Sequence, residues 1–248
     1  GGFLNGLRLL RTLAALGSPV IVITTRPYDI AHYSRYAEDH QAVSDLETAP
    51  GNLADLLIAN AQRWKGAVVF PASDEAIAAL DRYREKLEPL YTLVIPDPDS
   101  VPFILDKRHM LRAAGSVGIN LPECYGAADE RALLHSGIQF PVVIKPITAS
   151  EFSSIFNEKL FVSNDLAELE THISMLSRSG LQGEIFDLVP GPDCAIFACA
   201  VYMDRSGEPV AESTIRKLRQ TPPFFGIARV AELTERIPLL SEQTIELL

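Results

Sequence analysis

Three cationic groups interrupt a chain of 248 residues that is otherwise acidic, with 22 lysines and arginines against 32 acids and a net charge of −10. Lys145 closes the apolar run Val142-Val143-Ile144. Lys107 stands in the triplet Lys107-Arg108-His109. Arg216, Lys217 and Arg219 lie together in the run TIRKLRQ. Each group falls at an expected boundary between elements, where loops and helix ends meet ligands. An unpaired ammonium is costly to bury, so Lys145 at the end of an apolar strand either reaches water or meets an anion. Lys107 also reads as the solvated face of a helix start, and the Arg216–Arg219 group as the polar face of an edge strand. A polyanion such as a triphosphate accounts for all three at once.

Other constellations carry less. The histidines His32, His40, His109, His135 and His172 are scattered and lack metal-ligand spacing. Cys124, Cys194 and Cys199 form no CxxC pair. They read as reduced, mostly buried thiols, with Cys194 and Cys199 on one strand pointing to opposite faces. No metal site is expected within the chain. Gly1, Gly2 and Gly6 before a helix echo a dinucleotide turn, but no GxGxxG is present, and neither is the GxSxG elbow of a serine nucleophile. Asp74 and Glu75 either touch an acceptor substrate or favour a helix N-terminus through its dipole, and Arg35 in Ser34-Arg35-Tyr36 is a candidate carboxylate contact. The acidic balance argues against a nucleic-acid partner. No apolar run approaches the roughly 20 residues that span a bilayer, and no secretory signal is evident. A cytoplasmic protein is the expectation.

The elements that must position these residues alternate in the first third. Leu4–Leu16 has helical spacing and ends at Gly17-Ser18-Pro19. PVIVITT, GAVVFPA and YTLVIPD are near-continuous apolar strands, as in a parallel sheet covered on both faces. Helices are expected over Asn52–Trp64 and after Ser73, whose hydroxyl can cap DEAIAALDRYREKL. Such alternation predicts a doubly wound α/β unit. Because the chain opens on a helix, a leading strand is expected ahead of residue 1. Beyond a mainly helical segment the texture becomes α+β. FPVVIKPI, KLFVSN, GEIFDLV, DCAIFACAVYM and PVAESTI read as strands, DLAELETHISMLSRSG as a helix, and MDRSGEP as a turn joining two antiparallel strands.

This order of elements resembles the ATP-grasp superfamily, in its carboxylate–amine ligase branch. The residues that carry the resemblance are SRYA (34–37), VVFPASDEAI (68–77), LDKRHMLRAAGSVGINLPE, FPVVIKP, LVPGPD (188–193) and RKLRQTPPFFG (216–226). It implies an α/β fold with a Rossmann-like doubly wound N-terminal domain over residues 1–104, its first strand missing. A partial α+β ATP-grasp domain follows over 105–248, without its C-terminal part. Lys107 and Lys145 would hold nucleotide phosphates. Phe186-Asp187-Leu188-Val189 would be a hinge strand that reads adenine through its backbone, the Asp187 carbonyl accepting and the Val189 amide donating. Asp193 would accept from the ribose hydroxyls. Lys217, with Arg216 close by, would reach the γ-phosphate and stabilise charge during transfer.

The resemblance also implies a reaction. A carboxylate is phosphorylated by ATP, with Mg²⁺, to an acyl-phosphate that an amine displaces to form an amide. The expected partners are therefore ATP and small carboxylate and amine substrates, with neither nucleic acid nor membrane and with a possible homodimer. Two departures stand out. The segment ITASEFSSIFNEK after Lys145 has no glycine, where the family covers the phosphates with a glycine-rich loop, although Ser150, Ser153 and Ser154 offer hydroxyls. The family's metal-binding acids would lie beyond Leu248, so this chain alone is expected to be inactive. The alternative from another class is a nucleotide-binding regulatory module without turnover.

Overall fold

The computed structural model describes residues 4–26, 28–134, 137–204, 206–221 and 225–248, with the side chains at 107, 108, 134, 149, 150 and 227 left out of that description. His135 and the Gly1-Gly2 turn lie outside the described residues. The chain divides into two compact units, Gly1–Met110 and Leu111–Leu248.

In the first unit, α1 (Leu4–Ala15) stops where Gly17 adopts a positive φ of 78° that a side chain would resist. The strands β1 (Ile21–Thr24) and β2 (Asp39–Ala42) pair in parallel, Ile21 opposite Asp39. The second of these was not legible, because Asp-His-Gln-Ala has no strand pattern and is held by its neighbour and by local bonds. Asp39 accepts from the His40 amide at 2.8 Å and from Gln41 Nε2 at 3.1 Å.

Next come α2 (Gly51–Ala59), β3 (Val68–Val69), α3 (Asp74–Arg82), α4 (Arg84–Leu87), β4 (Thr92–Leu93), α5 (Val101–Leu105) and α6 (Lys107–Ser116). The helix α2 is shorter than its spacing predicts. Asn60 ends it by donating its side-chain amide to the Leu56 carbonyl at 2.9 Å. Ser73 caps α3 as expected, its Oγ accepting from the Ala76 amide at 3.3 Å.

Where one sheet was expected, the described strands form two parallel pairs, β1–β2 and β3–β4. A cavity of about 1000 Å³ separates them, with Ile21 and Val22 on one wall and Val68, Val69 and Phe70 on the other. That opening explains why Val68 and Phe70 are 49% and 41% exposed although their run reads as a buried strand. The core beside it gathers Leu53, Leu57, Trp64, Leu80, Leu87 and Tyr91.

The second unit is built on a four-stranded sheet in the order β5 (Cys124–Ala127), β8 (Gly183–Asp187), β6 (Val142–Pro146), β7 (Phe161–Ser163), antiparallel throughout. One face is covered by α7 (Ala149–Phe156) and α8 (Leu166–Arg178). Val142, Ile144 and Ile185 meet Phe152, Leu169, Ile173 and Leu176 there, all buried. A second antiparallel sheet, β9 (Phe197–Met203), β10 (Pro209–Thr221) and β11 (Ile227–Thr234), is followed by α9 (Pro238–Leu247). The helix α9 is tied to β10 where the Ser241 hydroxyl donates to Glu212, which Arg236 also meets at 3.2 Å.

Two expectations are corrected. Cys194 is not on a strand with Cys199, because Asp193–Ala195 closes a single 3-10 turn, with the Ile196 amide donating to the Asp193 carbonyl, and β9 starts only at Phe197. The cysteines are free thiols as expected but not mostly buried, since Cys124 is exposed and the other two are half-buried. Among the described residues, no helix is long and apolar enough to cross a membrane.

Candidate functional site

At the end of β6 the register sets Lys145 opposite Glu184 and Val143 opposite Phe186, so these four residues share the sheet face away from α7 and α8. Val142, Val143 and Ile144 are at most 3% exposed, and the chain then surfaces abruptly at Lys145, which is exposed. Its ammonium lies 4.6 Å from the centroid of the Phe186 ring. Of the two alternatives, reaching water or meeting an anion, the exposed side chain has the first open to it. The strand delivers the charge to the end of a sheet face whose Val143 and Phe186 are buried, and the negative face of the aromatic ring helps to hold it.

The hinge follows directly on β8. The Asp187 amide donates to the Glu123 carbonyl at 3.0 Å and the Leu188 amide to the Pro141 carbonyl at 3.3 Å. The Tyr125 hydroxyl donates to the Asp187 carboxylate at 2.8 Å, which pins the side chain and leaves the backbone to set the edge. Val189 is 69% exposed, and among the described residues its amide has no hydrogen-bond partner. Gly191, at φ +145°, then turns the chain through Pro192 into the turn that Asp193 opens. Arg216 braces this turn from β10, with Nε donating to the Cys194 carbonyl at 2.8 Å and the guanidinium over the Phe197 ring.

Arg216 and Lys217 are neighbours in sequence but not in space. The register sets Arg216 opposite Phe197 and Glu232, on the side of the sheet where Glu212 meets α9, so Lys217 takes the other side. Beyond Lys217 the pairing of β10 with β11 slips twice. Leu218 is the extra residue on β10 and Arg229 the extra residue on β11. Such bulges re-aim side chains. Here they return Gln220 to the side of Lys217, whose Nζ donates to Gln220 Oε1 at 2.8 Å.

Sequence reasoning missed a fourth cation at this place. The glycine-free segment after Lys145 is not an open loop but the helix α7. Phe152 and Phe156, four residues apart, face the core with Phe161 at ring-centroid separations of 4.8 to 5.0 Å. Asn157 ends the helix in the left-handed region at φ 55°, and Ser153 Oγ donates to the Glu158 carbonyl at 2.8 Å. Lys159 follows this exit directly. Burial, and then the nearby charges of Lys217 and Arg229, hold the Lys159 ammonium below the usual lysine range. The signal for α7 was the Phe-x-x-x-Phe spacing followed by an asparagine; no sequence signal marks the bulges that place Gln220 and Arg229.

Lys107 opens α6 in the backbone, and its side chain lies outside the described residues, as does that of Ser150. Asp74 and Glu75 sit in the first turn of α3, and Arg35 is exposed with Nη2 3.3 Å from the Tyr36 hydroxyl. Among the described residues, none of those predicted to act on a nucleotide lines the cavity of the first unit. Among the described residues, no three His, Cys, Asp or Glu gather to hold a metal ion.

No family model and no curated protein matches the chain. Solved structures do. The chain is similar to N5-carboxyaminoimidazole ribonucleotide synthetase from Thermus thermophilus (TM-score 0.62, 16% identity, 89% of this chain and 54% of that one). It is also similar to L-amino acid ligase from Bacillus licheniformis (0.67, 14%, 98% and 56%) and to biotin carboxylase from Campylobacter jejuni, solved as a β-γ-ATP complex (0.63, 15%, 98% and 56%). The chain spans about half the length of these proteins. At such identities the likeness is one of fold alone.

Proposed function

We propose that the chain forms the nucleotide-binding part of an ATP-dependent carboxylate–amine ligase, in which a Rossmann-like unit precedes the ATP-grasp unit. The observation that carries this reading is the shared geometry of Lys145 and the hinge. The ammonium stands over Phe186, and the unpartnered Val189 amide is three residues further along, roughly 10 Å of extended chain. That is about the reach from a purine edge to the 5′ end of its ribose. Val189 would donate to the adenine ring and the Asp187 carbonyl accept from its amino group. Asp193, whose carboxylate has no partner among the described residues, would accept from the ribose hydroxyls. Lys145 and Lys107 would meet the first phosphates.

In this reading the protein's work is positioning and charge compensation. Lys217 would stabilise charge on the transferred phosphoryl group as a substrate carboxylate attacks it to give an acyl-phosphate, which an amine displaces. Arg216, facing the other side of the sheet, would serve by bracing the Asp193 turn. The described titratable groups do not make a magnesium site, so Mg²⁺ is assigned to no residue of the chain.

Calorimetric titration with ATP tests the reading. Lys145→Ala is expected to weaken binding by about tenfold or more, and Lys65→Ala, an exposed residue of the first unit, to leave it unchanged. Equal dissociation constants for the two variants would overturn the assignment. ADP release that needs neither a carboxylate nor an amine would defeat the ligase reading itself.

A further inference from the structure

Two independent features converge on the side of the second sheet that Lys217 shares with Gln220. The first is an orphaned donor. Gln220 is 8% exposed, its Oε1 is taken by Lys217, and its buried Nε2 has no hydrogen-bond partner among the described residues. A buried amide nitrogen left unsatisfied is rare and costly, so a native protein that keeps one usually offers it to something. The second is a gathering of like charge around Lys159. Lys217 and Arg229 both act electrostatically on Lys159, and the left-handed exit from α7, the slip at Leu218 and the slip at Arg229 set where the three residues leave their elements. No carboxylate is among the charges acting on Lys159, and Glu232 is engaged with Arg216 on the opposite face. Like charges that act on one another are relieved when an anion joins them.

We propose that Lys159, Lys217, Arg229 and the Gln220 carboxamide form a binding site for a phosphoryl group, held by side-chain cations where a glycine-rich loop would have used backbone amides. Residues Ala149–Phe156 of ITASEFSSIFNEK form a helix packed by Phe152 and Phe156 against the core, not a loop. What the segment provides is the lysine after the helix. Gln220 has two functions in such a site. Its carbonyl oxygen orients the Lys217 ammonium, and its NH₂ donates to a phosphoryl oxygen.

The site rests on the nucleotide reading only for its most economical ligand, the terminal phosphate of ATP. A free phosphate or a phosphorylated co-substrate presents the same chemistry. The experiment uses the whole chain, with Lys159→Gln and Gln220→Leu, each first shown to retain the wild-type circular dichroism. Binding of AMP-PNP and ADP is measured by calorimetry, and binding of inorganic phosphate by its upward shift of the melting temperature. If the site holds the terminal phosphate, both variants lose about tenfold or more in AMP-PNP affinity and keep ADP affinity within about twofold. If it holds a separate phosphate, the phosphate-induced shift disappears in the variants while both nucleotides bind as before. Should the wild-type chain bind no nucleotide yet show a phosphate shift that depends on Lys159, the nucleotide reading falls and the site stands. Unchanged AMP-PNP affinity together with an unchanged phosphate shift in both folded variants overturns the site and leaves the nucleotide reading intact.

Discussion

Lys145 shows how little burial is needed to make a charge useful. Three fully packed residues carry it to the sheet's surface, where its ammonium lies 4.6 Å from the centroid of the Phe186 ring. His172 shows the opposite case. Its ring stacks on Phe161 at 4.4 Å, its Nδ1 lies 2.9 Å from the hydroxyl of the fully buried Ser163, and burial is the main cause that pushes its pKa below the ordinary 6.5, against a smaller pull from Glu168 and Glu158. The fold therefore favours the neutral imidazole. Below a pH of about 6.5 the unfolded chain binds a proton that the folded chain resists, so stability falls as pH falls through that window and is fully present above it. Melting temperatures taken from about pH 7.5 down to about pH 5.5 should decline in the wild type and decline less in His172→Phe, which keeps the stacking but cannot titrate. Parallel slopes for the two proteins would show that His172 is not the group responsible.

At the level of elements, the candidate site depends on how two segments end and how one strand slips. Asp165 caps α8 by accepting from the Glu168 amide at 2.9 Å, while Glu168 reaches back to the Asn164 amide at 2.8 Å. Asp165→Ala should cost about 1 kcal/mol of stability in denaturant unfolding, without changing nucleotide affinity. Phe152 on α7 is fully buried among Phe156 and Phe161, so Phe152→Ala should cost about 3–5 kcal/mol. Because α7 also carries Lys159 at its exit, that variant should weaken phosphoryl binding as well, a pairing of effects that Asp165→Ala should not show. A loss of less than about 1 kcal/mol for Phe152→Ala would mean that α7 does not pack as described.

For the molecule as a whole, each compact unit owns a core: Leu53, Leu57, Trp64, Leu80 and Leu87 in the first, and Phe152, Leu169, Ile173 and Ile185 in the second. Trp64 is the single tryptophan and is 7% exposed, so its fluorescence reports on the first unit alone. In Phe152→Ala the transition followed by far-ultraviolet circular dichroism should broaden toward lower denaturant, while the Trp64 transition keeps its midpoint. Movement of both by the same amount would make the chain one cooperative block. By itself the sequence determined much at this scale. Apolar runs and their breaks located most helices and strands, the Ser73 cap and the turn between β9 and β10, because periodicity and capping are local chemistry. Order along the chain was enough for the ATP-grasp resemblance. Only the tertiary structure decided that Asp39–Ala42 is a strand, since its pattern is polar and its neighbour supplies the pairing. The same holds for the separation of Arg216 from Lys217 and for the union of Lys159, Lys217, Gln220 and Arg229. Which face a side chain takes after a bulge, and which distant cations then meet, depend on register and packing across many residues, and no short stretch of sequence encodes them.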